Sequence, residues 1–313
     1  MDLSVFQWLL LPLRIQTWAL AIPLLVWAWF FGAVVGSFLN VVIHRLPQEG
    51  LSVVRPRSRC PQCSTMIPWY DNIPCFSYLW LRGRCRFCET SISLRYPAVE
   101  FFVGLVLAYF VWHFGFSLQT LELFSFSCVL VCVALIDFDT WLIPNVLSLG
   151  LVPFGLAFAW VSEQSALIPL SLFGFPPLFE ERLVGSVVGF LLLASLLVVS
   201  TYIMRQSGRL EKDELAMGWG DPFFLCGIGS FVGWHALPLI VFLASVQGVV
   251  IGYWFLKSGK INQEPTGNDD WTPPTTGVPF GPFLALGALE SIVFFPGEGL
   301  HVFAPLMELL GLG

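Results

Sequence analysis

Two carboxylates stand at the edges of long apolar runs in this chain of 313 residues. Asp137 lies within Leu135-Ile136-Asp137-Phe138-Asp139-Thr140, and Asp221 follows Met217-Gly218-Trp219-Gly220. Ionisable side chains in or beside lipid are costly to keep and usually mark function. Two carboxyls sharing a low-dielectric site do not both ionise readily, so one holds a proton while the other acts as general base on a water. That is the chemistry of an aspartyl protease. Gly218 and Gly220 lack a Cβ and let an extended substrate or a neighbouring helix approach Asp221 closely. Asp139, two residues past Asp137, is the weaker candidate and reads as a supporting or loop residue. Taken singly, Asp137 and Asp139 read as interfacial residues capping a short cytoplasmic turn and Asp221 as a helix N-cap; the pair beside glycines points to catalysis. A proton-coupled transporter would use the same pair as a relay, and an idle assembly factor would carry it without using it.

A second constellation is Cys60-Pro-Gln-Cys63 and Cys85-Arg-Phe-Cys88. Two C-x-x-C pairs let four thiolates converge tetrahedrally on zinc, the metal standing in for a missing core. Four cysteines close the coordination shell, which makes the metal structural rather than catalytic. Cys75 lies outside the pattern, and Cys128, Cys132 and Cys226 sit in apolar runs as small buried hydrophobes. Asn40, inside an apolar run, needs a partner. Glu100 and Glu290 are carboxylates in apolar runs for which the sequence shows none. His44, His113, His235 and His301 have no ligand spacing, and no internal repeat is evident.

These residues must be positioned in lipid. At 56% hydrophobic and 12% charged residues, the composition excludes a water-soluble domain. Runs at 18–42, 98–116, 121–136, 143–161, 183–204, 221–234, 236–256 and 278–295 approach membrane-crossing length. They predict an all-α polytopic protein of about eight spans. The run from Asp221 is short and interrupted by glycine, leaving seven spans and a re-entrant segment open. With an external N-terminus, thirteen of the fifteen Lys and Arg fall on one face, leaving Arg14 and Arg182 opposite. By the positive-inside rule that face is the cytoplasm, so both aspartates sit near it. The first run reads as a retained anchor, not a cleaved signal. Three domains are expected: 1–43, the first helix; 44–97, a small zinc-binding cytoplasmic insert; and 98–313, the transmembrane domain with the aspartates. Residues 162–181 read as an external interfacial stretch and 258–277 as a mobile loop. Gly32 and Gly36 form a G-x-x-x-G helix-packing face.

Several longer motifs carry a resemblance: Gly36-Ser-Phe-Leu-Asn-Val-Val-Ile-His-Arg45-Leu-Pro, Arg59-Cys-Pro-Gln-Cys63, Trp69-Tyr-Asp-Asn-Ile-Pro74, Leu81-Arg-Gly-Arg-Cys-Arg-Phe-Cys88, Ile92-Ser-Leu-Arg-Tyr-Pro97, Ile136-Asp137-Phe-Asp139 through Pro144, Met217-Gly-Trp-Gly-Asp221 and Pro279-Phe-Gly-Pro-Phe-Leu-Ala-Leu-Gly287. In residues and order the chain resembles the bacterial type IV prepilin peptidases, or leader peptidase/N-methyltransferases. The resemblance implies a membrane aspartyl protease that removes the short basic leader of type IV prepilins or type II secretion pseudopilins. It places the protein in the bacterial inner membrane, with cleavage at the cytoplasmic side. It implies catalytic roles for Asp137 and Asp221 and metal ligation by Cys60, Cys63, Cys85 and Cys88. It also implies S-adenosylmethionine as cofactor if the new N-terminus is methylated, although the sequence contains no glycine-rich nucleotide loop. Partners are the prepilin substrate and the lipid bilayer, with no nucleic acid. One departure stands out: the family motif continues Gly-Asp-x-Lys, whereas this chain reads Gly220-Asp221-Pro222-Phe223.

Overall fold

A computed structural model describes residues 18–48, 50–164, 177–211, 214–257 and 278–294. Most of the stretch 162–181, and the expected loop 258–277, lie outside the described residues. Nine α-helices follow in order: α1 (Trp18–Arg45), α2 (Phe76–Trp80), α3 (Arg95–Phe114), α4 (Leu118–Thr140), α5 (Asn145–Gln164), α6 (Pro177–Gln206), α7 (Gly220–Val232), α8 (Leu237–Lys257) and α9 (Gly281–Phe294). No strand occurs among the described residues.

Apolar helices stand at all eight expected places. Six of them, α1, α3, α4, α5, α6 and α8, are long and apolar enough to cross a membrane. The other two, α7 and α9, have 13 and 14 residues. At 1.5 Å per residue each covers about 20 Å, short of a hydrocarbon core of about 30 Å. The short run at Asp221 was visible in the sequence; the brevity of α9 was not. Short helices survive at membrane depth where protein rather than lipid surrounds them. In α7, nine of the thirteen residues are buried, including Asp221, Phe224, Leu225 and Ile228.

The chain forms two compact units, Met1–Cys128 and Val129–Gly313, so that α4 runs from one into the other. In the first unit, α1 packs along α3. The Gly32/Gly36 stripe makes this possible: a Cβ on Gly32 would lie 2.9 Å from Gly104 Cα, and one on Gly36 would lie 2.8 Å from Glu100 Cα. Those neighbours are backbone and cannot swing away. Gly32→Leu is therefore expected to separate the two helices and lower stability by about 1–3 kcal/mol, read as a lower denaturation midpoint in detergent. Asn40 finds its partner here, its Nδ2 donating to the Tyr96 carbonyl at 3.1 Å. Arg45 ends α1, where a cation complements the helix dipole.

In the second unit, α7 is the central element, held by α5, α6 and α9. Gly229 of α7 and Gly185 of α6 face each other so closely that a Cβ on either would collide with the other's carbonyl oxygen. Ser230 of α7 donates to the Leu151 carbonyl of α5 at 3.3 Å. Gln247 of α8 donates to Glu290 Oε2 of α9 at 2.6 Å, which supplies the partner the sequence did not show for that carboxylate.

Candidate active site and metal centre

Asp137 sits in the last turn of α4. The helix stops at Thr140 because Trp141 adopts a left-handed backbone, φ 57°, with its N–H on the Asp137 carbonyl at 2.9 Å. Pro144 then opens α5, its carbonyl accepting the N–H groups of Leu147 and Ser148. This tight reversal projects Ile143 against two glycines. A Cβ on Gly220, the residue before Asp221, would lie 2.8 Å from Ile143 Cβ. A Cβ on Gly281, the first residue of α9, would lie 3.1 Å from Ile143 Cδ1 and 2.6 Å from Asp137 Oδ2. Ile143 thus spaces the start of α7 from the start of α9, and both abut the end of α4.

Two buried carboxyls meet in this arrangement. Asp137 is 4% exposed and Asp221 9%, and the two lie within electrostatic reach of each other. The Gly281 N–H donates to Asp137 Oδ2 at 3.0 Å. A free N–H at a helix N-terminus complements negative charge and orients the carboxylate that accepts it. Asp139 lies on the exposed side of α4, as two residues turn a helix by about 200°. Of the two glycines singled out beside Asp221, Gly220 is tightly packed, while a Cβ on Gly218 would meet nothing nearer than the Gly220 nitrogen at 3.9 Å. Gly281 and Ile143 carry no chemistry of their own. Both lie in motifs that carry the resemblance, but neither was given a role from the sequence.

Phe223 stacks on Phe190 of α6, ring centroids 5.5 Å apart at 25°, and Trp219 stacks on the same ring at 6.5 Å and 21°. The position where the resemblance implies a lysine is therefore part of an aromatic stack that ties the first turn of α7 to α6.

Gly281→Ala is expected to displace the Asp137 carboxyl and lower the activity proposed below by roughly 10²-fold, the cost of an ångström-scale misplacement. Gly218→Ala, with open space before it, is expected to stay near wild type. Rates on a common substrate compare the two.

In the first unit, the Sγ atoms of Cys60, Cys63, Cys85 and Cys88 all lie within 4.8 Å of one another. Cys60 and Cys88 are 3.7 Å apart. Four thiolates at about 2.3 Å from a central zinc would stand about 3.8 Å apart, so the donor set fits such an ion. Its scaffold is a structural repeat that the sequence reading missed. Each knuckle opens with a cysteine N–H on a threonine carbonyl: Cys60 on Thr65 at 3.0 Å, and Cys85 on Thr90 at 2.9 Å. Each closes through a positive-φ residue, Ser64 and Glu89, both at 56°, and each is flanked by one β-bridge, Arg59 to Met66 and Arg84 to Ser91. The signal was the spacing Arg-Cys-x-x-Cys-x-Thr-x-Ile, which occurs twice.

Cys75 stands apart from the four. Its N–H donates to Glu100 Oε2 at 2.7 Å and its Sγ faces the Pro97 carbonyl at 3.6 Å. Glu100 thus has a partner that the sequence did not reveal. Above it lies a cavity of about 470 Å³ bordered by Asn40, Asp71, Tyr78, Tyr96 and Glu100.

The fold and site define a class: a multi-pass membrane protein with paired buried carboxyls at the ends of two helices and a four-thiolate centre able to hold a metal ion. Comparison with known proteins makes this particular. Residues 30–114 match the Bacterial Peptidase A24 N-terminal domain and residues 124–253 match the Type IV leader peptidase family. The chain is 31% identical to the prepilin leader peptidase/N-methyltransferase of Myxococcus xanthus, over 91% of this chain and 95% of that one. It is 35% identical to the protein of that name from Stutzerimonas stutzeri and 33% to that from Pseudomonas aeruginosa, in each case over 84% of this chain and 88% of the relative. The chain belongs to the type IV leader peptidase family. No solved structure matches it.

Proposed function

We propose that this chain is a membrane aspartyl endopeptidase that removes the leader of type IV prepilins or type II secretion pseudopilins. It would then methylate the N-terminus so created. The observation that carries the protease reading is the convergence of Asp137 and Asp221 around Ile143, with the Gly281 N–H fixing one carboxyl. Asp137, oriented by that N–H, takes a proton from the attacking water. Asp221 holds a proton and gives it to the scissile carbonyl oxygen. The tetrahedral diol then collapses: the C–N bond breaks as Asp137 gives its proton to the leaving amine, and Asp221 takes one back from a diol hydroxyl, which resets the pair for the next substrate. Because the two acids are coupled, any pH dependence of the rate belongs to the pair.

The basic residues support a bacterial inner-membrane location with the aspartates near the cytoplasmic face. There a basic leader would remain in the cytoplasm while the apolar segment of the prepilin lies in lipid. Zinc is the ion we assign to the four cysteines, in a structural role. The methyl donor we assign is S-adenosylmethionine, which supplies an activated methyl group on a cationic sulfur. The cavity beneath the metal centre is of ligand size. Its Glu100 carboxylate suits a cation, Asp71 being already paired with Arg86, and the rings of Tyr78 and Tyr96 suit a nucleobase. The chain would orient the donor there through those groups.

Purified protein in detergent with a model prepilin tests both halves. The expected products are a shortened prepilin by mass and, with the methyl donor present, a further gain of one methyl group. Titration calorimetry with S-adenosylmethionine is expected to show saturable binding without any prepilin. An uncleaved prepilin would overturn the protease reading, and absent binding would overturn the donor assignment.

A further inference from the structure

We propose that residues 73–80 of the metal domain form a wedge in the membrane interface, with Phe76, Leu79 and Trp80 among the acyl chains of the lipid. The segment lies in an insert whose composition reads as soluble, yet its placement on the helices argues otherwise. Helix α3 has 20 residues, about 30 Å, which matches a hydrocarbon core. Helix α1 has 28 residues, about 42 Å, and so overshoots it. The bond from Asn40 to the Tyr96 carbonyl sets the first turn of α3 level with Asn40 of α1. That level marks the membrane surface.

The wedge reaches below it. The Cys75 N–H holds the carboxylate of Glu100, which lies five residues into α3 from Arg95, about 7.5 Å deeper. Phe76 packs edge-on against Trp29 with centroids 6.3 Å apart, and Trp29 meets Phe101 of α3 at 5.7 Å. Trp29 lies eleven residues before Asn40 on α1, about 16 Å further from the surface. The wedge is therefore continuous with the lipid-facing side of the α1/α3 pair.

Two further observations fit lipid rather than water. Leu79 is 72% exposed, Trp80 83% and Phe76 55%, a run of large apolar groups that the described residues leave largely uncovered. The backbone is prepared for a solvent that offers no hydrogen bonds: Ile73 donates to Ser77 Oγ, Cys75 to Glu100, Ser77 to the Ile73 carbonyl, and Leu79 to the Cys75 carbonyl. Exposed Arg82 and Arg84 follow immediately, where they can meet lipid phosphates while the tryptophan sits at headgroup depth.

The test is photo-crosslinking of the full chain in nanodiscs of phosphatidylcholine and phosphatidylglycerol. Benzoylphenylalanine replaces Leu79 or Trp80, and Val54, 73% exposed on the same domain, serves as control. Wild-type helicity and elution volume identify folded variants, and two wedge positions guard against the failure of one. Lipid adducts, read by intact mass, are expected to be several-fold more abundant at Leu79 and Trp80 than at Val54. Equal yields at the three positions would overturn the proposal, as would crosslinks from the wedge to a second copy in place of lipid.

Discussion

Asp137→Asn and Asp221→Asn are each expected to lower leader removal by about 10²–10⁴-fold, with the chain still folded and in the membrane. The size follows from the chemistry. An amide neither takes a proton from water nor gives one to a carbonyl oxygen, so each variant loses its half of the proton exchange. The preserved fold follows from the packing. Asparagine keeps an oxygen for the Gly281 N–H, which Asp137 Oδ2 accepts at 3.0 Å. At both positions the amide nearly matches the buried carboxyl in volume. Combining the two substitutions is expected to cost little more than one, because groups acting as a unit are not additive. Cleavage of a model prepilin followed by mass spectrometry measures all three variants. Wild-type processing by Asp221→Asn would remove that residue from the mechanism.

If the four cysteines hold zinc as proposed, Cys60→Ser and Cys85→Ser are expected to abolish its binding and unfold the insert. Between residues 51 and 94 only Cys60, Pro74, Gly83 and Cys85 are buried. Two of those four are metal-ligand candidates, so almost no apolar core remains to hold the segment when the ion leaves. Structural zinc contributes about 10–16 kcal/mol to the folding of small zinc-finger peptides, more than a segment of this size can replace. The expected readouts are a fall in zinc from one per chain by elemental analysis and new protease cuts between residues 51 and 94. Chelation of the wild type is expected to reproduce both. An insert that stays protease-resistant without metal would refute the structural role.

How far the residues could be read depended on whether their partners were near in sequence. The eight apolar runs are local signals, because lipid demands a continuous stretch for each span, and an apolar helix stands at every expected place. The two C-x-x-C pairs are also local, since two-residue spacing brings thiolates together within one turn. Their duplication was legible in the spacing Arg-Cys-x-x-Cys-x-Thr-x-Ile, which occurs twice, and the backbone adds that both copies fold as matched knuckles.

The partners of lone polar groups were beyond the sequence. Asn40 meets Tyr96 across 56 positions, and Gln247 meets Glu290 across 43. Helix packing decides such pairings, and no local pattern records them.

Sequence by itself determined the lipid environment, the helical class, the four-thiolate set and two aspartates worth pairing, because solvent and short spacing act on neighbouring residues. Tertiary structure alone decided that α9 is short and that Ile143 separates Gly220 from Gly281. It also brought an N–H 144 positions away onto Asp137. The physical reason is that a buried carboxyl must find its donors wherever the chain returns, and chain return is settled by which glycines let helices come into contact.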